Sequence, residues 1–159
     1  MMFYVNSCPG GMNMPNDFDR KIMRYLEEHS ICTVATIEED RPNASALEYV
    51  NDGLKLYFVS FPNTRKVRNL GINPAVAITI NEAYIDIRGI KGIQYYGIAS
   101  VINDDKLREK IKQLFLEKFP VFQLMHWQKA SSIYYEVIPQ RIDFIDYSSK
   151  FGSKEVWTP

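Results

Sequence analysis

The sequence predicts an α+β fold, mainly β: an antiparallel barrel with a few separated helices. Three observations carry this. Short β-branched and aromatic runs succeed one another between turn residues. Asn51-Asp52-Gly53 is a strong hairpin signal between two of them. Helical spacing occurs only in isolated stretches, not after every strand as parallel βαβ units require.

Taken in order, residues 1–15 hold two glycines and two prolines and read as an irregular arm. Phe18, Ile22, Tyr25 and Leu26 then recur at helical spacing, with Asn16 or Asp17 as N-cap, which predicts a helix over 17–29. Residues 31–37 are a β-branched, apolar strand, 38–42 a turn, and 43–50 a second strand. After the hairpin signal, 54–60 alternates Leu54, Leu56 and Phe58 against Lys55 and Tyr57, and Phe61-Pro62-Asn63 breaks it. A short helix over 64–70 closes at Gly71, with Asn73-Pro74 beyond it. Strands follow at 75–80 and, after a Gly89/Gly92 loop, at 93–102. Asn103-Asp104-Asp105 caps a helix carrying Leu107, Ile111, Leu114 and Phe115 and ended by Pro120. The last strands, 132–138 and 141–145, are split by Pro139.

The 159 residues fit a single domain, at roughly 150 residues per domain, with 147–159 as a C-terminal tail. A hydrophobic share of 46% and an aromatic share of 13% support a packed core and exclude disorder. Nineteen Lys and Arg balance nineteen Asp and Glu, so no nucleic-acid partner is expected. No apolar run nears the ~20 residues that cross a bilayer, so no membrane partner is expected either. The first residues lack a basic region and a long apolar stretch, which argues against a secretory signal and for a cytoplasmic location. Cys8 and Cys32 make no disulfide framework.

The most informative stretch is Thr64-Arg65-Lys66-Val67-Arg68, directly after a strand and at the start of a helix. First-turn N–H groups lack intrahelical partners, and the helix dipole is positive there. Thr64 supplies a hydroxyl that either caps the helix or donates to an anion. Arg65 and Lys66 supply a fork and a point charge, the usual partners of phosphate. A phosphomonoester suits this place. The competing reading is a capped surface helix with solvated basic residues. Neither a Walker loop nor a GxGxxG motif is present.

The ordered series from Ile31-Cys32-Thr33-Val34-Ala35-Thr36 through Arg41-Pro42-Asn43-Ala44-Ser45, Leu56-Tyr57-Phe58-Val59-Ser60, Thr64-Arg65-Lys66-Val67-Arg68-Asn69-Leu70, Asn73-Pro74-Ala75-Val76-Ala77 and Ile93-Gln94-Tyr95-Tyr96-Gly97 resembles the pyridoxamine 5′-phosphate oxidase-like, FMN-binding split-barrel family. The resemblance covers about 18–152. It implies a six-stranded antiparallel Greek-key split barrel and a homodimer with FMN at the interface. It implies that Thr64, Arg65 and Lys66 hold the FMN phosphate. Ala44, Ser45, Ala46 and Leu47 then run along the isoalloxazine, and Val59 and Ser60 lie beside the ribityl chain and phosphate. Lys91 and Gln94 match a segment that reaches the flavin, often from the partner subunit.

The vitamin-forming oxidase of that family carries an Arg and a Lys on the flavin strand, where this chain has Ser45 and Val50. Its Arg-rich C-terminal motif has no counterpart in 152–159. Oxidation of a vitamin phosphate is therefore not expected. The expected function is an FMN-dependent oxidoreductase passing hydride between a nicotinamide or other small donor and an acceptor. Two alternatives stay open: non-catalytic flavin storage or sensing, and a haem-binding member using His126.

His126-Trp127 reads either as a lid, with Trp127 on the flavin ring, or as a connector packed on the barrel. His29 suits the end of a helix. No cysteine or histidine spacing fits zinc. Cys32, in an apolar strand, reads as buried and inert. Tyr95-Tyr96 and Tyr134-Tyr135 put one ring on each strand face and read as packing.

Overall fold

A computed structural model describes residues 15–83, 86–123 and 131–159. The first helix, α1 (Asp17–Glu28), starts at a capping box. Asn16 Oδ1 accepts from Asp19 N at 2.8 Å, and the Asp19 carboxylate accepts from Asn16 N at 3.0 Å. Its apolar face buries Ile22, Tyr25 and Leu26 in the barrel core. Each such aliphatic side chain contributes about 1.5–3 kcal/mol on burial.

Strands β1 (Ile31–Glu38), β2 (Arg41–Glu48), β3 (Val50–Asp52) and β4 (Lys55–Ser60) follow. Then come α2 (Arg65–Ile72), β5 (Ala75–Asn81), β6 (Lys91–Val101), α3 (Asp105–Lys118), β7 (Ile133–Asp146) and β8 (Lys154–Trp157). Short 3₁₀ turns occupy Ile87–Gly89 and Pro120–Gln123. The strands form one antiparallel sheet in the order β2-β1-β5-β6-β7-β4-β3, with β8 added against β7.

The two ends of that order, β2 and β3, are separated in the chain only by Tyr49. One residue spans at most about 3.6 Å, so the sheet must curl until its edges meet. Tyr49 is buried at this seam, and its hydroxyl donates to Leu26 O at 2.8 Å. β2 and β3 do not pair with each other, which leaves the barrel split. The expected barrel is thus present, with eight strands in the sheet where six were expected.

Three further differences have local causes. Pro139 does not split the last strand: β7 runs through it, because the register against β6 shifts between Tyr96 and Gly97 and absorbs the missing donor. Gly97 is required there, since a Cβ would stand 2.5 Å from Ile138 O. Tyr57 is buried although it alternates with the core side of β4. It faces a second cluster, with Val50, Ile102, Ile111, Phe115 and Tyr134, that lies under α3. The tail contains β8, held to α1 by Trp157 Nε1 donating to Asp19 Oδ1 at 2.8 Å and by a Lys21–Glu155 pair.

Other expectations hold. Gly53 turns the β3–β4 hairpin at φ 61°. Tyr95 is buried and Tyr96 exposed; Tyr134 and Tyr135 face different clusters. Cys32 is buried, and burial pushes its thiol up to about 12. No helix among the described residues is long and apolar enough to cross a membrane.

Candidate functional site

The end of β4, the loop after it and the first turn of α2 form a continuous polar chain. Thr64 Oγ1 donates to Phe61 O at 3.1 Å, which uses its only hydrogen. Ser60 Oγ, 3.0 Å away, is therefore the donor to Thr64 Oγ1. Lys66 Nζ donates in turn to Ser60 Oγ at 3.5 Å. Thr64 is the N-cap residue of α2 by position but makes no side-chain capping bond. Of its two sequence-level roles, the capping one is absent.

Lys66 is half-buried, and burial lowers its pKa. Among the described residues no carboxylate lies within ion-pair distance of it. A desolvated ammonium without a counter-ion is costly, and an anion at this place removes the cost. Arg65 differs. It is exposed and leans toward Glu38 on β1, with Nε 3.9 Å from Oε2.

A cavity of about 240 Å³ opens beside this chain of groups. Val59, Ser60, Thr64 and Lys66, all expected site residues, line it. Glu48, Phe61, Phe115, Phe122 and Ser132 line it as well and were missed. They come from β2, the loop, α3, the 3₁₀ turn and the approach to β7, so no local pattern joins them. Arg65 is not in its wall.

Ala44, Ser45, Ala46 and Leu47 lie on β2, an edge strand that among the described residues pairs only with β1. Ser45 and Leu47 turn half inward, while Ala44 and Ala46 face out. Among the described residues the other edge of β2 pairs with no strand, so its backbone donors and acceptors there stay free of the ladder. These four residues do not line the cavity; Glu48, at the end of the same strand, does.

Lys91 and Gln94 are not brought to this place within one chain. Ser60 pairs with Ile133 at one end of β7, and Lys91 with Asp146 at the other. Thirteen residues of β7 (133 to 146) separate these partners, roughly 43 Å of strand at about 3.3 Å per residue. Lys91 instead sits over the Tyr25 ring and 3.9 Å from Glu82. Gln94 is exposed on the outer face of β6. Trp127 and His126 lie outside the described residues. His29 is engaged: its Nδ1 donates to Tyr25 O at 2.7 Å, and its ring stacks on Tyr25 at 4.0 Å.

An antiparallel barrel split at one seam places the chain in the split-barrel class. The pyridoxamine 5′-phosphate oxidase family model matches residues 18–145, and the chain belongs to that family. General stress protein 26 of Bacillus subtilis is 24% identical over 110 residues, 65% of this chain and 73% of that protein. Two solved structures share the fold. An FAD-binding protein of Mesorhizobium loti superposes with a TM-score of 0.64 at 16% identity, over 77% of this chain and 88% of that one. The haem storage protein HutZ of Vibrio cholerae gives 0.66 at 19% identity, over 87% of this chain and 92% of that one.

Proposed function

We propose that this chain is an FMN-binding flavoprotein that works as an oxidoreductase. Electrons pass between a nicotinamide or another small donor and an acceptor. One observation carries the reading. Among the described residues Lys66 is half-buried without a carboxylate partner, beside a helix start that its N-cap residue, Thr64, does not cap through its side chain. A dianionic phosphate satisfies both at once, through the dipole and a charge-assisted bond. Ser60 and Thr64 line the same cavity, and each donates to the anion by releasing its present acceptor, Thr64 Oγ1 and Phe61 O respectively. The flavin, when bound, supplies the redox chemistry, and the protein supplies position and electrostatics.

The free edge of β2 receives the ring. The outer sheet face beside it carries Thr33, Ala35, Ala44, Ala46, Ala77 and Thr79, small side chains on neighbouring strands. Such a face suits a second copy of this chain, and a homodimer brings Lys91 and Gln94 of the partner toward the flavin. Haem storage, the role of the Vibrio neighbour, is the second reading. His29 is committed to Tyr25, so that reading rests on His126, which lies outside the described residues.

The test is the visible spectrum of freshly purified protein, with mass spectrometry of what it releases. A flavin spectrum and released FMN are expected. Colourless protein that takes up no added FMN overturns the proposal, and a Soret band moves it to haem. Anaerobic reduction by NADH or NADPH, followed by turnover of an acceptor, separates the enzyme from a flavin store or sensor.

A further inference from the structure

Helix α2 has eight residues and buries only two of them, Asn69 and Leu70. Apolar contact through Leu70 has little directional preference, whereas a carboxamide is directional. Asn69 is fully buried, and its Nδ2 donates to Thr36 Oγ1 on β1 at 3.0 Å. Thr36 is fully buried too. The other polar atom of the same carboxamide, Oδ1, has no hydrogen-bond partner among the described residues. In this orientation the amide nitrogen meets Thr36 and the amide oxygen goes unmet. An apolar side chain of similar shape does not incur that cost. The site therefore gives up stability and gains direction.

The backbone of Asn69 is committed as well. Its carbonyl accepts from Asn73 N at 2.8 Å, and Asn73 Oδ1 accepts from Ala75 N at 3.0 Å, at the start of β5. Asn69 thus ties α2 to β1 through its side chain and toward β5 through its carbonyl. Residues three and four apart share a helix face, so Lys66 and Arg65 flank the face that Asn69 pins inward.

We propose that Asn69 is a positioning residue: with Thr36 it sets the rotation of α2 over β1 and so aims the first turn, Thr64 to Lys66, at the anion. This rests on the phosphate reading above. The test replaces both polar partners with apolar ones of like shape, Asn69→Leu with Thr36→Val, and titrates the protein with FMN and with riboflavin. The double variant keeps or raises its thermal midpoint. Its preference for FMN over riboflavin falls by about tenfold or more, the scale set by small misplacements of a bound group. A general packing defect lowers both affinities together and the midpoint with them.

Undiminished FMN preference in the folded double variant overturns the inference. If that variant does not fold, Thr36→Val is compared with Thr36→Ser, which keeps the hydroxyl. Loss of preference in the valine variant alone supports the inference, and equal preference overturns it. Wild-type protein that binds riboflavin as tightly as FMN removes the phosphate reading and the inference together.

Discussion

At the start of α1 the chain supplies its own acceptors; at the start of α2 it does not. Asn16 and Asp19 close a capping box on α1, and Asp17 and Asp19 place negative charge in its first turn. Trp157 from β8 holds Asp19 in place. α2 has no acid in its first turn and no side-chain cap, and it carries Arg65 and Lys66 where the dipole is already positive. Cations at that end oppose the dipole by roughly 0.3–1 kcal/mol each. The lesson is one of completeness. α1 is finished by its own residues, whereas α2 leaves its first turn open for the phosphate proposed above.

The strongest way to break this comparison is to remove the cations. Arg65→Ala with Lys66→Ala deletes two charge-assisted partners, each worth roughly 1.5–3 kcal/mol. FMN affinity by fluorescence titration falls at least about a hundredfold, while riboflavin affinity hardly changes. Of the two single variants, Lys66→Ala accounts for more of the loss, because only Lys66 lines the cavity. Unchanged FMN affinity in the double variant places the phosphate elsewhere.

Making α2 resemble α1 is the next test. Thr64→Asp supplies the missing carboxylate cap, which stabilises the helix start and occupies the place of the phosphate. The thermal midpoint rises and FMN affinity drops about tenfold or more, since each 1.4 kcal/mol is a factor of ten. A variant that gains stability and still binds FMN tightly contradicts the idea of a shared place. The converse change, Asn16→Ala, opens the start of α1. It costs about 1 kcal/mol in a denaturant melt and leaves FMN affinity where it was.

The mildest effect concerns acid. The α1 end is latched by β8, and β8 is itself anchored by Lys154 on Asp143 at 3.1 Å. Arg141 on the same carboxylate, at 2.6 Å, holds the pKa of Asp143 below its ordinary value, and Lys154 helps. A depressed carboxylate contributes stability that is present above its unfolded pKa, about 3.9. That contribution is lost as pH falls through the folded value. Wild type is therefore more stable than Asp143→Asn at neutral pH, and the gap closes below about pH 4. A gap that persists into acid assigns the effect to packing.

How much of this was legible follows from where the signals lie. Ser60, Thr64 and Lys66 were readable because strand, turn and helix start are adjacent in the chain. The roles of Arg65 and Lys66 were not separable in advance. The rotation of α2, pinned at Asn69, decides which of the two faces the cavity. Pro139 read as a break because its missing donor is local, whereas the shift at Gly97 that absorbs it lies across the sheet. Glu48, Phe115 and Phe122 escaped notice because each obeys its own element's pattern and meets the others only after closure.

The chain by itself determined its helices, most of its strands, the Gly53 hairpin and the basic helix start, because capping, turn chemistry and side-chain periodicity act over a few residues. The tertiary structure decided the rest. Sheet closure through Tyr49 put Glu48 in one cavity wall with Phe115 and Phe122, α3 buried the outer face of β4, and packing on β1 left Lys66 half-desolvated without a counter-charge among the described residues. Burial and the absence of a partner are properties of an environment assembled from distant segments, so no local pattern encodes them.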